Sequence, residues 1–509
     1  MRVCPHWAFE RIISMKKRFL AIMSLVLICA VLCACQPTPN VEAVNSKNNG
    51  VLQEKINETN PHSSLSDSCE SIYLFEDFLS TDESVSFHFN VNTEISSDMR
   101  TVVEVVPHRL SAEDIQRVAR TLLGNVTFYA RRTSSSPMYS KSQYQEMISQ
   151  LSPYTSLDTL SELMGNGDAE VYLEYVRMFV EKWIDESENA PESDPRTICD
   201  WKLKKERHYN DSNEEIGNRQ VSDDCDVLYA NAEKDGIEYI YSVTTKDGGD
   251  YKLNSLNLNL TEGLGLYPVE MAIFRSMLCR TEKPSDAQVE KVSSKAQAML
   301  NEMNLGEWSV TNVYIETKHI NNIDEYSIHV NAVPSFDGIT AVYGQRSKNL
   351  KDAYASIYKM SQATFEFSAN GDILYFNMES PIDIVEVKNR NVATIDVDEL
   401  IEKCKQHLSL SDAGTYGLPE DIIDELEAAT NEEILCYVYL SEVEYGLGRV
   451  KVQDTEDAYY YIPVIVFRGY TDYISAKTQT LYYSNKPDSS SGTMPVIVCI
   501  NAVDGTVVQ

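Results

Sequence analysis

The sequence predicts an α+β fold, built from tandem modules of antiparallel sheet with one packed amphipathic helix each and a helical insertion in the first module. Three observations support this prediction. A chain of 509 residues is too long for one ordinary core. Strand-like stretches beside a capped amphipathic helix occur three times along the chain. Turn signals separate many of the remaining strand-like stretches.

The first predicted helix runs from Ser111 to Gly124 and follows strand-like stretches at 84–92 and 100–106. Ser111 is a typical N-cap with Asp114 three residues later, and Gly124 is a natural stop. The apolar positions follow helical spacing and predict one buried stripe: Ile115, Val118, Ala119, Leu122 and Leu123.

Residues 141–190 have helical rather than strand-like patterns, which indicates an insertion or cap in the first module. Residues 197–260 return to alternating strand patterns. Turns are expected at 234–236 and 247–250, where Asp and Gly cluster.

Two further capped helices are predicted, beginning at Ser285 and at Asp396. Strands are expected at 308–316, 363–368 and 373–378, with a hairpin turn at Asn370-Gly371. The two helices carry apolar stripes made of Val289, Val292, Ala296, Met299, Leu300 and Met303, and of Leu400, Ile401, Cys404 and Leu408.

The C-terminal part is rich in strand-like sequence, at 434–443, 458–467 and 495–508, with a turn at Asp504-Gly505. Pro463 lies inside the second of these stretches. Because proline cannot donate to a ladder, it predicts an edge strand or a bulge there.

These patterns divide the chain into consecutive segments. We expect a signal peptide over 1–34, a polar tether over 35–75, an α+β domain over 76–275 with its insertion at 141–190, an α+β module over 276–390 and a C-terminal α+β module over 391–509.

The N-terminus has the pattern of an export signal. Lys16, Lys17 and Arg18 precede a 13-residue apolar run at 19–31, which suits a signal peptide and is short for a membrane span of about 20 residues. Met15 heads a more typical signal than Met1, so residues 1–14 are open to interpretation as a mis-assigned start. An uncleaved spanning helix is the alternative.

Leu32-Cys33-Ala34-Cys35 follows the apolar run and resembles the lipobox of bacterial lipoproteins. The resemblance implies cleavage before Cys35 and a lipid on its thiol. Acyl chains at about 0.8 kcal/mol per buried methylene would then fix the chain to the outer face of the cell membrane.

The chain carries 44 basic and 77 acidic residues, a net charge of −33. Such a surface repels phosphate backbones, so the composition argues against nucleic acid as a partner. The body also has no electrostatic reason to lie on anionic lipid.

Seven cysteines remain beyond Cys35, and no CxxC is present, so neither a zinc ribbon nor a thioredoxin-type pair is indicated. Cys404, Cys436 and Cys499 fall on predicted apolar positions and are expected to be buried. A disulfide between Cys199 and Cys225 is left open.

No catalytic motif or cofactor-binding motif stands out, so no catalytic, metal or cofactor residue is assigned. His319 and His329 flank a predicted turn, so one hypothesis is that their side chains meet across two paired strands. The favoured interpretation is that each histidine is either solvated or part of a core. The segments 247–250 and 370–372 lack the spacing of calcium loops and are interpreted as turns.

Tyrosine is abundant, with 30 residues in the chain. Tyr459, Tyr460 and Tyr461, with Arg468 and Tyr470, are a candidate recognition groove, because aromatic and arginine side chains anchor interfaces. The other interpretation is the strand preference of tyrosine.

The C-terminal stretch Val498 to Val507, with Asn501-Ala502 and Asp504-Gly505, resembles the closing hairpin of PepSY-type domains and of the extracytoplasmic YycH/YycI regulatory proteins. The strand-turn-strand-helix order from Phe365 through 396–408 is similar, so the resemblance covers residues 285–509. It implies regulatory modules outside the membrane, although YycH/YycI proteins use an anchoring helix rather than a lipid. The whole arrangement also resembles an uncharacterised family of Bacillota lipoproteins, which implies no activity.

The sequence therefore predicts an extracytoplasmic lipoprotein that binds or regulates a cell-envelope protein or glycan without catalysis and without a cofactor. A hydrolase that cleaves glycans through paired carboxylates is the alternative. A solute-binding lipoprotein is a third hypothesis, for which the expected βαβ alternation is not evident.

Overall fold

The α+β class is confirmed by the computed structural model, in which helices pack beside two large, mainly antiparallel sheets. The structure describes residues 49–59, 69–81, 83–96, 100–130, 139–164, 169–193, 196–208, 223–234, 237–246, 253–260, 282–320, 323–344, 360–411, 413–416, 420–452, 455, 457–487 and 494–508.

The helices in this part of the chain are α1 (Asn49–Ile56), α2 (Ala112–Leu123), α3 (Lys141–Leu151), α4 (Leu157–Met164), α5 (Ala169–Asn189), α6 (Asp286–Met303), α7 (Val397–Ser409) and α8 (Glu420–Thr430). The strands are β1 (Cys69–Leu79), β2 (Val85–Ser96), β3 (Val102–Pro107), β4 (Phe128–Ala130), β5 (Lys204–His208), β6 (Asp223–Lys234), β7 (Ile237–Lys246), β8 (Leu253–Leu260), β9 (Trp308–Ile320), β10 (Ile323–Phe336), β11 (Ile339–Thr340), β12 (Gln362–Ser368), β13 (Ile373–Glu379), β14 (Ile382–Asn389), β15 (Ile434–Lys451), β16 (Tyr459–Ser475), β17 (Leu481–Ser484) and β18 (Val496–Asn501).

The first sheet has eight strands in the order β1-β2-β15-β16-β3-β14, with β17 and β18 also paired to β16. Its neighbours are antiparallel except for β2 and β15, which run parallel. The second sheet has ten strands, in the order β11-β10-β12-β13-β8-β7-β6-β4, with β9 paired to β10 and β5 paired to β6.

The predicted boundaries at 275/276 and 390/391 do not separate these sheets. The first sheet joins β1 to β3 with strands that follow residue 380, and the second joins β4 to β8 with β9 to β13. The strands of each predicted segment have edges that pair with strands of another segment. The predicted modules therefore interleave in space and do not form consecutive separate units.

Helices α2 and α6 pack together on one face of the second sheet. Ser111 and Ser285 begin them with capping boxes, as the sequence predicts. Their apolar stripes meet sheet side chains such as Phe365, Phe367 and Phe376 in one continuous core. Helix α7 begins after Asp396, whose side chain accepts a hydrogen bond from the amide of Asp398, and its predicted stripe is buried.

The two sheets share a smaller core made of residues from β3, β10, β15 and β16. Arg468 of β16 is 4% exposed. Its guanidinium donates to Glu444 at 2.8 and 2.7 Å and to the carbonyl of Tyr343 at 2.7 Å. A buried charge that is paired and hydrogen-bonded in this way links the first sheet to the segment that follows β11.

The expectation that Pro463 marks an edge strand or a bulge is wrong. Pro463 lies inside β16, with β15 paired along one side. Along the other side, β3 pairs with Tyr459–Tyr461 and β18 with Val464–Arg468, so the proline falls in the gap between them. Its carbonyl faces this gap and accepts from the amide of Ala502, and its missing N–H breaks no ladder bond.

The prediction of a polar tether over 35–75 is also wrong where the structure describes it. Helix α1 buries Leu52 and Ile56, which are 2% and 0% exposed, against the first sheet. Strand β1 begins at Cys69 and pairs with β2 over its whole length.

The insertion is helical, as expected, and has a core of its own. Helices α3, α4 and α5 bury a set that includes Tyr144, Leu151, Leu160, Val176 and Trp183. The turns at 370–371 and 504–505 are confirmed, with Gly371 and Gly505 at φ +86° and +78°. The turns expected at 234–236 and 247–250 include residues outside the described ones.

Leu122 tests the packing of α2. It is 2% exposed, so Leu122→Asp places an unpaired carboxylate in the main core and should cost about 3–5 kcal/mol of unfolding free energy. Ala112→Asp, at an exposed position in the first turn of α2, is the matched control and should leave stability nearly unchanged. Denaturant unfolding of both variants checks this, and equal midpoints for the two would contradict the packing.

Candidate functional site

An aromatic row crosses the solvent-facing side of the first sheet, formed by His88, Tyr437, Tyr439 and Tyr470. The His88 ring stacks on Tyr437 and Tyr439 at centroid distances of 5.5 and 5.1 Å, and Tyr439 stacks on Tyr470 at 4.7 Å. The three ring pairs are within 20° of parallel. The ammonium of Lys486 lies 4.7 Å from the centroid of Tyr470.

Strand register produces this row. His88 of β2 lies opposite Tyr439 of β15, which lies opposite Tyr470 of β16. Because alternate residues of a strand share a face, side chains at such positions stand next to one another across the sheet. On its other side, His88 Nδ1 is 2.8 Å from Asp77 Oδ1 of β1.

Strand β1 adds an exposed apolar patch to the same face. Tyr73, Phe75 and Leu79, called the β1 patch below, are 68%, 63% and 53% exposed. They alternate with inward positions and share the face of Asp77, so the patch and the aromatic row are continuous. Among the described residues, β1 pairs only with β2 and forms the end of the sheet.

The candidate recognition groove at Tyr459, Tyr460, Tyr461 and Arg468 is not formed, and the other interpretation, the strand preference of tyrosine, fits their position in β16. All four residues are buried, with exposures between 0% and 4%. Both faces of β16 are covered at these positions, whereas a strand in a groove needs one open face. Only Tyr470 of the predicted set belongs to the aromatic row.

A cleft of about 520 Å³ lies between the two sheets. Val106, Pro107 and Asp383 line it from the first sheet, and Thr245 and Asn254 from the second. The remaining lining residues are Arg109, Leu110, Leu203 and Asp457. Its volume is in the range of small-molecule sites, and it combines apolar walls with two carboxylates and one guanidinium.

His108 lies beside this cleft and joins two carboxylates. Its Nδ1 is 2.8 Å from Asp383 Oδ1, and its Nε2 is 3.3 Å from Asp114 Oδ2. Burial alone would raise the pKa of Asp114, but hydrogen bonds from Ser111, Arg117 and His108 outweigh it and lower that pKa to about 2. Asp114 is therefore ionised at neutral pH and holds the start of α2.

A second histidine cluster lies on the second sheet, where His329 Nε2 is 2.8 Å from Glu316 Oε2 and 3.7 Å from Glu366 Oε1. Among the described residues, these three are the group of side chains whose ligand atoms lie close enough together to hold a metal ion. The suggested meeting of His319 and His329 does not occur, because the register sets His319 opposite Asp324 and His329 opposite Tyr314.

Cys404, Cys436 and Cys499 are buried free thiols, as predicted. Burial raises the pKa of Cys436 to about 12 and also raises that of Cys404 and Cys499, so these thiols stay protonated and unreactive. Cys199 is likewise a buried free thiol, and the side chain of Cys225, the other half of the disulfide that was left open, lies outside the described part of the chain.

Cys35, the predicted lipid site, lies outside the described residues, as does the apolar run before it. No helix in the part of the chain that the structure describes is long and apolar enough to cross a membrane.

Comparison with known proteins does not assign this chain to a family. No family model matches the chain, and no curated protein matches it. Among solved structures, the crystal structure of an uncharacterized protein from Eubacterium rectale ATCC 33656 at 1.45 Å resolution covers 92% of this chain and 99% of its own. The two share 10% identity and a TM-score of 0.35, which identifies no common family.

Proposed function

We propose that this chain is a lipoprotein held on the outer face of the cell membrane by lipid on Cys35, and that its folded body binds a protein of the cell envelope without catalysing a reaction. The single observation that supports the binding role is the continuous exposed surface of the β1 patch and the aromatic row.

Exposed apolar side chains are ordinary when they are scattered, but a contiguous group marks an interaction surface. Tyr73 and Phe75 are both more than 60% exposed on neighbouring positions of one face. Tyrosine is enriched among residues that dominate binding energy, because it buries a large area and still offers a hydroxyl. The surface therefore has the composition of a protein interface.

The geometry of the aromatic row favours a protein over a flat ligand. The ring faces of Tyr439 and Tyr470 are covered by each other and by the Lys486 ammonium. A planar ligand or a sugar ring therefore cannot insert between Tyr439 and Tyr470 and stack on their ring faces. Ring edges and hydroxyl groups remain, and these suit the side chains and backbone of a protein partner.

The end position of β1 supplies a means of docking. A strand at the end of a sheet presents backbone N–H and C=O groups that can pair with a strand of another chain. Asp77 pairs with His88 and Glu76 with Lys405, so both carboxylates have partners within the chain. The exposed side chains of the β1 patch would therefore match a partner strand that carries apolar side chains.

The lipid anchor is tested at the lipobox. Cys35→Ser should release the protein from membranes or leave an uncleaved precursor, because no thiol remains to take lipid. Cys33→Ser, two residues earlier, is the matched control and should be processed normally. Fractionation and mass spectrometry of the N-terminus check this, and unchanged processing of Cys35→Ser would show that the anchor assignment is wrong.

The binding surface is tested by placing a photo-cross-linking amino acid at position 75 of the lipidated protein in its native membrane. We expect a discrete cross-linked envelope protein that disappears when Tyr73→Ser and Leu79→Ser are added. Ile198 is 69% exposed and away from the β1 patch, and the same probe there is the control. Equal cross-linking from both positions, or persistence in the double variant, rules out this surface.

The hydrolase alternative has one specific observation in its favour, because Asp383 and Asp457 both line the cleft. A glycosidase needs two carboxylates across such a space. Under the binding proposal, the purified body should release no sugar from cell-wall or oligosaccharide substrates. Turnover by the wild type that is lost in both Asp383→Asn and Asp457→Asn, with unfolding unchanged, would establish the enzyme instead.

A further inference from the structure

Three adjacent strands of the second sheet bring Glu316, His329 and Glu366 to one point. Glu366 of β12 lies directly opposite His329 of β10. On the other side, β9 places Tyr314 opposite His329 and Glu316 opposite Ser327. These positions lie on the face of the sheet away from α2 and α6, because the alternate residues Ile328 and Val330 belong to the helix-packed core.

A single nitrogen of His329 faces three oxygen atoms. Its Nε2 lies 2.8 Å from Glu316 Oε2, 3.2 Å from Ser327 Oγ and 3.7 Å from Glu366 Oε1. One imidazole N–H points in one direction and makes one good hydrogen bond. The nitrogen and the two carboxylate oxygens all lie within 4.8 Å of one another, which is close enough for one metal ion to contact all three.

The cluster is sheltered and its histidine is held in place. The side chains of Glu366, His329 and Glu316 are 8%, 14% and 32% exposed. The Tyr314 ring stacks on the imidazole at 5.0 Å with planes 10° apart, which fixes the direction of Nε2. Two carboxylates held in partial burial favour a bound cation, because attraction between charges strengthens as water is removed.

We propose that Glu316, His329 and Glu366 form a site for a divalent transition-metal ion, of which Zn²⁺ is the best match. Zn²⁺ binds imidazole nitrogen and carboxylate oxygen at about 2.0–2.1 Å, so tetrahedral ligands lie about 3.3 Å apart. The nitrogen–oxygen distances of 2.8 and 3.7 Å bracket that value. Calcium and magnesium prefer ligand sets made of oxygen alone.

Three protein ligands leave a fourth position for water or for a side chain of another molecule. The site lies on the second sheet, whereas the β1 patch and the aromatic row lie on the first. It is therefore independent of the proposed binding surface. A metal bound here would join β9, β10 and β12 by their side chains. It would stabilise the native state by an amount that grows with the logarithm of the free metal concentration once that exceeds the Kd.

The competing description is a metal-free cluster in which protonated His329 pairs with the two carboxylates. Zinc titration distinguishes the two. The mature full-length protein, treated with chelator and then dialysed, should bind one Zn²⁺ at this site in calorimetry, and its thermal midpoint should rise with Zn²⁺. Magnesium and calcium at the same concentration should give neither effect.

Glu316→Gln and His329→Gln should each weaken this binding by at least about tenfold, the cost of losing even a supporting contact to a metal ligand. His88→Gln is the matched control for zinc affinity alone, because His88 also pairs with a carboxylate, Asp77, and is outside the three-ligand group found among the described residues. X-ray absorption of the zinc-loaded protein should show one imidazole and oxygen ligands without sulfur, a readout that does not depend on variant folding.

Zinc binding that is equal in wild type, Glu316→Gln and His329→Gln would overturn the proposal, as would sulfur ligation or the absence of binding by the wild type. If the variants lose stability without added metal and the wild type binds no zinc, the metal-free ion cluster is the correct description.

Discussion

The fold depends on the burial of the first eleven residues of one strand, β16, on both of its faces. Every residue from Tyr459 to Gly469 is buried, and four other strands pair with β16. Burying both faces of a strand removes far more apolar area from water than a half-exposed strand can, and each large side chain contributes about 1.5–3 kcal/mol. Glycine at position 469 is part of the constraint, because a Cβ there would overlap the carbonyl oxygen of Tyr439.

Burial of β16 explains why the segments interleave. Its partners come from both ends of the described chain, since β3 ends at Pro107 and β18 begins at Val496. Neither β3 nor β18 can cover the strand alone, so the first sheet forms only when residues about 350 positions apart meet. Arg468 extends the same constraint to the second sheet through the Tyr343 carbonyl. Contacts of such long range predict slow folding, with the helix-packed second sheet more locally connected.

Local signals in the sequence predicted the helices well, but they could not predict which strands pair over long sequence distances. The caps at Ser111 and Ser285 and the apolar stripe of α7 depend on residues that are three or four positions apart in the sequence. The turn at Gly371 depends on two adjacent residues. The pairing of β3 with β14 has no such signal, and neither does the cluster of Glu316, His329 and Glu366, which strand register alone assembles. Three consecutive tyrosines suggested a groove, but a strand buried on both faces leaves no alternation to show which side is open.

Away from the buried part of β16 and the core that the two sheets share, each sheet has one covered face and one face that carries polar or exposed aromatic side chains. The second sheet packs α2 and α6 on one side, which leaves His329 and its carboxylates on the other. The first sheet buries the inward residues of β15 and β2, which leaves the aromatic row outward. The strong alternation of Cys436, Val438 and Leu440 with Tyr437 and Tyr439 fixes that row, because a one-residue slip would bury the tyrosines and expose the core. The same hydrophobic pattern that determines the fold therefore also determines which side chains are available to a partner or a metal ion.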